Sequence, residues 1–406
     1  MGTAVTGGRP ALGHGGAAAV LALLMGLQPA TTDIYLPALP LLTQDLAAPM
    51  ALAQMTMAAL ILAFGAGQLL WGPVADRFGR RPVLLGTLGL YALAALGSVL
   101  AASIEQLVLW RTLQGFAMAG AVGCSRAMVR DLYSPLEGAH VMTLALSGLG
   151  VVALLGPALG GLVAATAGWR AALGVVAAYG ALALAVVAWR VPETLAQRNP
   201  RATAPGPMLA NWATVARHPG FLAWMLLVTC TYGGIYTYLA GSSFVFIDLL
   251  GLSPAQYGLA MASVSACYMA GTFACRPALR RWGMRGAVVH AAGITALAGI
   301  TVVALAAAGV QSVWALLVPQ WLYCFGHGFH MPCGQAGTVA PFPQMAGAAS
   351  ALAGFVMALV AFGIGRWLGS ALDAGPGGSA WPFVAGLGFW SAATCAVAWT
   401  LVRRHG

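Results

Sequence analysis

Two ionisable residues stand where such residues are rare. Asp33 lies well inside the first long apolar stretch, in ATTDIYLPALP, and Arg111 lies inside a later one, in LVLWRTLQGFAMAG. A carboxylate at membrane depth is costly, so it faces a cavity, pairs with a cation or carries protons. Burial favours its neutral form and a nearby arginine its charged form, so a group held between those effects can load and release a proton. An arginine cannot be neutralised and needs an anion or a polar cavity in the same setting. Arg111 is therefore the expected partner of Asp33. The alternative places Asp33 at the membrane surface, capping its helix, since Tyr35, Pro37 and Pro40 follow closely.

A second constellation is GPVADRFGRRPVLLG. Gly72 and Gly79 permit tight turns there, and Asp76 stands beside Arg77, Arg80 and Arg81. An acid at one helix end with a facing cation makes a latch that can break and re-form; the plainer reading is charge that sets topology. A third is GHGFHMPCGQ, where His327 and His330 share a helix face near Met331 and Cys333. Soft ligands of this kind can bind copper or zinc, but no ligating acid is adjacent. Cavity lining or proton handling suits the pair better, so no metal and no cofactor are expected. Aromatic residues offer a cavity wall: Tyr35 beside Asp33, Tyr232 and Tyr236 one helical turn apart with Tyr238 following, and Trp321, Tyr323 and Phe325. They would stack on a planar substrate, or else sit at membrane interfaces or pack against lipid.

The elements that must position these residues follow from composition. Of 406 residues, 60% are apolar and 7% charged, against roughly 25% charged in a soluble domain. Mean hydropathy is +0.84. These values exclude a soluble enzyme, a disordered chain and a nucleic-acid-binding protein. The apolar stretches are long and continuous, which excludes an outer-membrane barrel with its alternating runs of ~10. A helical, multi-pass protein of the lipid bilayer remains. All seven cysteines (Cys124, Cys230, Cys267, Cys275, Cys324, Cys333 and Cys395) fall in or beside apolar stretches, form no CxxC pair and read as small buried hydrophobes. The opening MGTAVTGG has the spacing of an acylation pattern at Gly2 and Thr6, but a chain with many spans needs no lipid anchor. The apolar run after Arg9 lacks the small-x-small exit of a cleaved signal.

At about 20 apolar residues per crossing, twelve spans are predicted. They cover 17–38, 52–72, 83–101, 106–128, 140–164, 169–189, 219–240, 254–276, 286–308, 313–333, 346–368 and 380–402. Pro29 and Pro37 predict a bend or early end in the first. Residues 190–218 hold four prolines and the arginines Arg190, Arg198, Arg201 and Arg217, and read as a linker between six spans and six. The formal net charge is +10, with arginine as the only cation besides histidine. Arg9, Arg77, Arg80, Arg81, Arg130, the linker arginines, Arg276, Arg280, Arg281, Arg285, Arg403 and Arg404 fall in the tails, the even connections and the linker. The odd connections carry Asp45, Glu105, Asp248 and Asp373, with Arg170 and Arg366 as exceptions. Positive charge collects on the cytoplasmic side, so both termini are expected there. Arg126 and Arg130 are expected to reach to the cytoplasmic surface along their stems.

An internal repeat supports the six-plus-six division. At an offset of 204, Gly67, Pro73, Arg77, Gly79 and Arg81 match Gly271, Pro277, Arg281, Gly283 and Arg285. Both segments lie between the second and third spans of a six-span half, the parallel repeat of transporters with a site between the halves.

The loop at Gly72, Asp76, Arg77, Gly79, Arg80 and Arg81 resembles the signature loop of the major facilitator superfamily; in the second half Arg280 replaces the acid. Arg111, Gln114 and Gly115 resemble its fourth-helix motif, which implies that Arg111 tunes proton transfer at a carboxylate. Gly156, Pro157, Gly160 and Gly161, in GLGVVALLGPALGG, resemble the antiporter motif of proton-coupled drug exporters, with Val152 where that pattern has Gly. TTDIYLPALP and FPQMAGAASALAGF resemble the bicyclomycin and chloramphenicol resistance branch, the Bcr/CflA group. The resemblance implies an all-α major facilitator fold of twelve transmembrane helices, with halves at 1–189 and 219–406. It implies a monomeric drug:proton antiporter of a bacterial inner membrane, with small molecules and protons as its partners. A specific metabolite or sugar exporter or importer of the same fold is the nearest alternative. A sensor or assembly factor lacks a signalling domain to act through, and the motifs of an enzyme are absent.

Overall fold

The structure is a computed structural model that describes residues 14–373 and 379–406. The acylation-like Gly2 and Thr6, and Arg9, lie outside the described residues. Proline placement and helix caps shape the first half. The first span is built from α1 (His14–Met25), α2 (Leu27–Asp33), a 3-10 turn at Leu36–Ala38 and α3 (Leu39–Asp45). Pro29, Pro37 and Pro40 lack the N–H that each preceding turn would need, so the predicted bend takes the form of a segmented helix. Pro37 leaves the backbone carbonyl of Asp33 without its helical donor. Next come α4 (Met50–Phe78), α5 (Arg80–Val99) and α6 (Ile104–Leu132), the last capped by the Ser103 hydroxyl.

Two further helices are far longer than a bilayer requires. They are α7 (Pro135–Arg190) and, in the second half of the chain, α10 (Pro254–Ala307), of 56 and 54 residues. A bilayer core takes about 20 residues. Each has a non-helical residue at its middle, Gly168 with φ 82° and Gly283 with φ 65°. Left-handed backbone of this kind suits glycine because a Cβ would clash. Gly79 has φ 108° at the junction of α4 and α5. Gly79 and Gly283 are the paired glycines of the repeat, so the register read from sequence coincides with equivalent breaks in the backbone.

The remaining elements are α8 (Pro205–Ala216), α9 (Pro219–Ser243), α11 (Val313–Val339), α12 (Ala346–Asp373), α13 (Trp381–Val397) and the terminal turn α14 (Arg403–His405). Helix α8 lies inside the segment read as a linker. Pro205 and Pro207 fall in its first turn, where a missing N–H costs nothing. Among the described residues nine helical segments are long and apolar enough to cross a membrane. With α7 and α10 each broken in two and α11 added, the helices accommodate the expected twelve crossings.

Helix α4 packs along α6 and α12, and α7 along α1, α5 and α10. Helix α9 packs along α11, α12 and α13. Leu93, Leu100, Leu162, Ile300, Phe389 and Trp314 point outward and are largely exposed, as a lipid-facing surface requires.

Candidate functional site

Asp33 ends α2, and its Oδ1 accepts a hydrogen bond from the Thr32 hydroxyl at 2.7 Å. The backbone stays helical through Ile34 and Tyr35. Thr31 and Tyr35 therefore share one face of the helix, while Asp33, two residues from each, takes the opposite side. Arg111 approaches the face of Thr31 and Tyr35. It donates to the Thr31 carbonyl at 3.1 Å and to Gln114 Oε1 at 2.9 Å. Its guanidinium lies 4.4 Å from the centre of the Tyr35 ring. Arg111 is completely buried, and among the described residues no carboxylate comes within ion-pair distance of it. The expected contact between Asp33 and Arg111 is therefore not made: Arg111, from α6, meets the face of α2 opposite to Asp33. Tyr35 donates to or accepts from Thr56 at 2.6 Å, and Thr31 does the same with Tyr91 at 2.5 Å. The arginine, two tyrosines, two threonines and Gln114 form one buried polar core behind Asp33.

On its other side Asp33 meets α7. A Cβ on Gly156 would lie 3.6 Å from the Asp33 Cβ, and one on Gly160 would collide with the Ile34 backbone. Gly161 meets the backbone of Pro254 and Gly258, and Gly258 in turn meets the Pro157 carbonyl. The glycines thus let α7 approach α2 beside the carboxylate and α10 across the molecule. Small residues at such contacts permit dispersion contact along whole turns. Asp33 is within electrostatic reach of Tyr232 on α9 and Tyr257 on α10. It occupies a seam where elements from both ends of the chain meet.

The loop between α4 and α5 is tied in three directions. Arg80 pairs with Asp76 at 2.7 Å and with Asp131, at the end of α6, at 3.0 Å. Glu193 accepts from the backbone N–H of Arg80 at 2.9 Å and of Arg81 at 3.3 Å, an anion at the positive end of α5. Arg81 donates to the carbonyls of Val191 and Ala188, Arg77 to the Thr203 hydroxyl, and Asn199 N–H to the Asp76 carbonyl. Gly72 meets nothing that a Cβ would strike, whereas Gly79 abuts the Glu193 carboxylate. The matching loop at Gly283 has no ion pair among the described residues, in keeping with Arg280 replacing the acid.

Two cavities lie between the helices and share part of their lining. A vestibule of about 1210 Å³ is lined by Asp76, Arg80, Arg126, Arg130, Asp131, Arg201 and Trp212 among others. A central cavity of about 120 Å³ is lined by residues of α2, α4, α6, α9, α11 and α12. Gln68, Arg126 and Ser350 line both, so they stand at the neck between them. The opposite end is closed: Gln54 donates to the Ala240 carbonyl, Gly369 packs on Ala51, and Asp45 pairs with Arg170 at 2.7 Å. That pair gives the exceptional Arg170 its partner.

Of the aromatic and histidine residues read as cavity wall, Tyr232 lines the central cavity. The others are packed elsewhere. Tyr35 lies under Arg111, and Tyr236 is fully buried with its ring 6.3 Å from that of Tyr232. Trp321 donates to the Ser263 hydroxyl at 2.8 Å, and Phe325 packs on Phe329. His327 and His330 are buried and share the Thr231 hydroxyl, at 2.9 and 3.4 Å. Arg126 is a correction of another kind. Its helix face turns it to the neck of the cavities instead of the surface.

The Major Facilitator Superfamily profile matches residues 21–365. The chain belongs to that superfamily. This facilitator is 32% identical over 337 residues to multidrug resistance protein D of Escherichia coli (strain K12), covering 82% of this chain and 84% of that one. It is 30% identical over 363 residues to the chloramphenicol resistance protein of Pseudomonas aeruginosa, covering 87% and 82%. Among solved structures, a bacterial homologue of the human lysosomal transporter Spinster, inward-facing and occupied, superposes with a TM-score of 0.72 at 15% identity. That match covers 98% of this chain and 97% of that one. Superfamily members are transporters of small molecules and not enzymes.

Sequence reasoning passed over several residues of the facilitator's site. Asp131 completes the Arg80 cluster, and Glu193 caps α5 from the linker. Glu193 carried a signal, being the lone acid in a cation-rich segment. Gln28, Gln68, Gln335 and Met357 line the central cavity, and no local pattern distinguishes them from other residues on membrane helices.

Proposed function

We propose that this facilitator is a proton-coupled efflux transporter, which exports drugs or other small amphipathic molecules by alternating access. The observation that carries the reading is the seam at Asp33. A carboxylate in the first span touches the glycine-lined turn of α7 and lies near the cavity residue Tyr232. Protonation there removes a charge at the place where the two sides of the molecule must slide, so proton loading and helix movement share one site. Arg111 positions the helix behind it. The division into halves at 1–189 and 219–406, with 190–218 as linker, gives the rocking bodies.

The arginine distribution supports cytoplasmic termini in a bacterial inner membrane, with the vestibule facing the cytoplasm and the protein acting as a monomer. Inward proton flow supplies ~2.3 kcal/mol per charge per 100 mV, enough to drive a neutral drug outward against its gradient. The relatives named for multidrug and chloramphenicol resistance support drugs as cargo over sugars.

The test is drug susceptibility in an efflux-deficient bacterial host. Cells express the native chain or Asp33→Asn at matched membrane levels, against a panel that includes phenicols. Resistance to several unrelated compounds that vanishes in Asp33→Asn supports the proposal. Absence of any shift across the panel overturns multidrug export and turns the search to a dedicated metabolite.

A further inference from the structure

We propose that the cavity selects cargo bearing an acidic group, and that Arg126 is the residue that recognises it. The inference rests on the exporter reading and names its substrate class: an amphipathic organic anion with one carboxylate or comparable acid on an aromatic or aliphatic body.

The charge inventory carries the argument. Among the described residues lining the central cavity, Arg126 is the one with a formal charge. It is exposed to that space and makes no hydrogen bond or ion pair with any described residue. The vestibule has four arginines in its lining, Arg80, Arg126, Arg130 and Arg201, and two acids, Asp76 and Asp131. Both acids are already engaged by Arg80. Asp33, at the end of α2, turns toward α7 and is absent from the lining of both cavities. The path into the molecule is therefore net positive, and its innermost cation has no counter-charge from the protein. An arginine at membrane depth needs an anion, a polar cavity or water. A guanidinium left open at a constriction is a ready bidentate partner for a carboxylate.

Size points the same way. Drug-sized ligands occupy pockets of about 300–1,000 Å³. The central cavity, at about 120 Å³, holds only part of such a molecule. The rest must extend through the neck into the vestibule, which brings some group of the cargo past Arg126. Tyr232, Phe64, Met331 and Met357 offer apolar surface to the body, while Gln68 and Ser350 sit beside Arg126 at the neck as further polar partners. The positive vestibule also draws anions in from solution.

The experiment measures equilibrium binding to the purified full-length protein by scintillation proximity. The probes are 2-naphthoate, its uncharged isostere 2-naphthamide, and inorganic phosphate as a bare anion. The native protein should bind the acid about tenfold tighter than the amide, the scale of one charge-assisted contact. In Arg126→Gln the ratio should fall to within about twofold, while Arg126→Lys retains most of the preference. Equal affinity for acid and amide in the native protein overturns the proposal, as does an undiminished ratio in Arg126→Gln. Phosphate competing as well as 2-naphthoate also overturns it, since the site would then read a bare anion and not a cargo. Arg126→Met replaces Arg126→Gln if the latter does not fold, and the native ratio decides without any variant. The exporter reading is tested separately, by proton-driven flux of 2-naphthoate and of a phenicol in liposomes of the same preparation. Flux without acid preference sinks this inference alone, and acid preference without flux sinks the exporter reading.

Discussion

Arg111 holds the helix on both sides of Asp33 without touching its carboxylate. Its guanidinium donates to the Thr31 carbonyl, two residues before Asp33, and covers the Tyr35 ring, two residues after. The acid and the base are thus coupled through the rigidity of one helical turn and not through a direct ion pair. Burying a guanidinium without a carboxylate is tolerated because the carbonyl, Gln114 and the Tyr35 π-face share the charge.

Asp33→Asn should fold, because the Asn side-chain oxygen can still accept from Thr32, and should lose proton-driven transport. Inverted membrane vesicles with an imposed pH gradient give the readout. Native vesicles should accumulate substrate, and the variant's uptake should not respond to the gradient. Gradient-driven uptake by the variant would assign the proton to another group.

Arg111→Lys should impair both stability and transport. Lysine cannot span the Thr31 carbonyl, Gln114 and the Tyr35 face together. Loss of one or two charge-assisted contacts in a buried site costs roughly 1.5–3 kcal/mol each. A thermal melt in detergent should fall by several degrees, and a melt equal to the native one would refute the role given to these contacts.

Gly160→Ala and Gly174→Ala should behave in opposite ways. A methyl at Gly160 strikes the Ile34 backbone, whereas Gly174 has open space around it within the same long helix. Gly174→Ala should stabilise by about 0.5–1 kcal/mol, the ordinary gain for a helix interior. Gly160→Ala should push α7 away from Asp33 and abolish transport at normal expression. Full transport by Gly160→Ala would mean that close approach at this turn is not required.

Arg80→Ala should destabilise more than Glu193→Gln. The first leaves Asp131 and Asp76 without their shared cation, at roughly 1–3 kcal/mol, and the second keeps an oxygen acceptor and weakens the cap on α5, at about 1 kcal/mol. Melts of the two variants at matched detergent and pH test the order. The reverse order would place the main tie of the loop in the linker.

Much of this protein was legible in the sequence because the relevant physics is local. Span length against bilayer thickness, proline in the first helix and the repeated glycine register each act within a few residues. Gly79 and Gly283 both take positive φ at the predicted breaks, and Asp33 lies well inside the first span. The loop's Asp76 and Arg80 stand four residues apart and pair across the break at Gly79, where the motif had placed an acid against a facing cation.

What the tertiary structure decided is rotation and closure. A helix with apolar residues on all sides does not announce which face meets which neighbour. For that reason the sequence could place Asp33 and Arg111 at similar depth but could not turn them away from each other. It could name Tyr232, Trp321 and His327 as equals, though packing brought only the first of them to the cavity. Arg126 looked like one more surface arginine until helices far apart in the chain closed a cavity around it. Local pattern sets what each helix is, and contacts between distant helices set which way it faces.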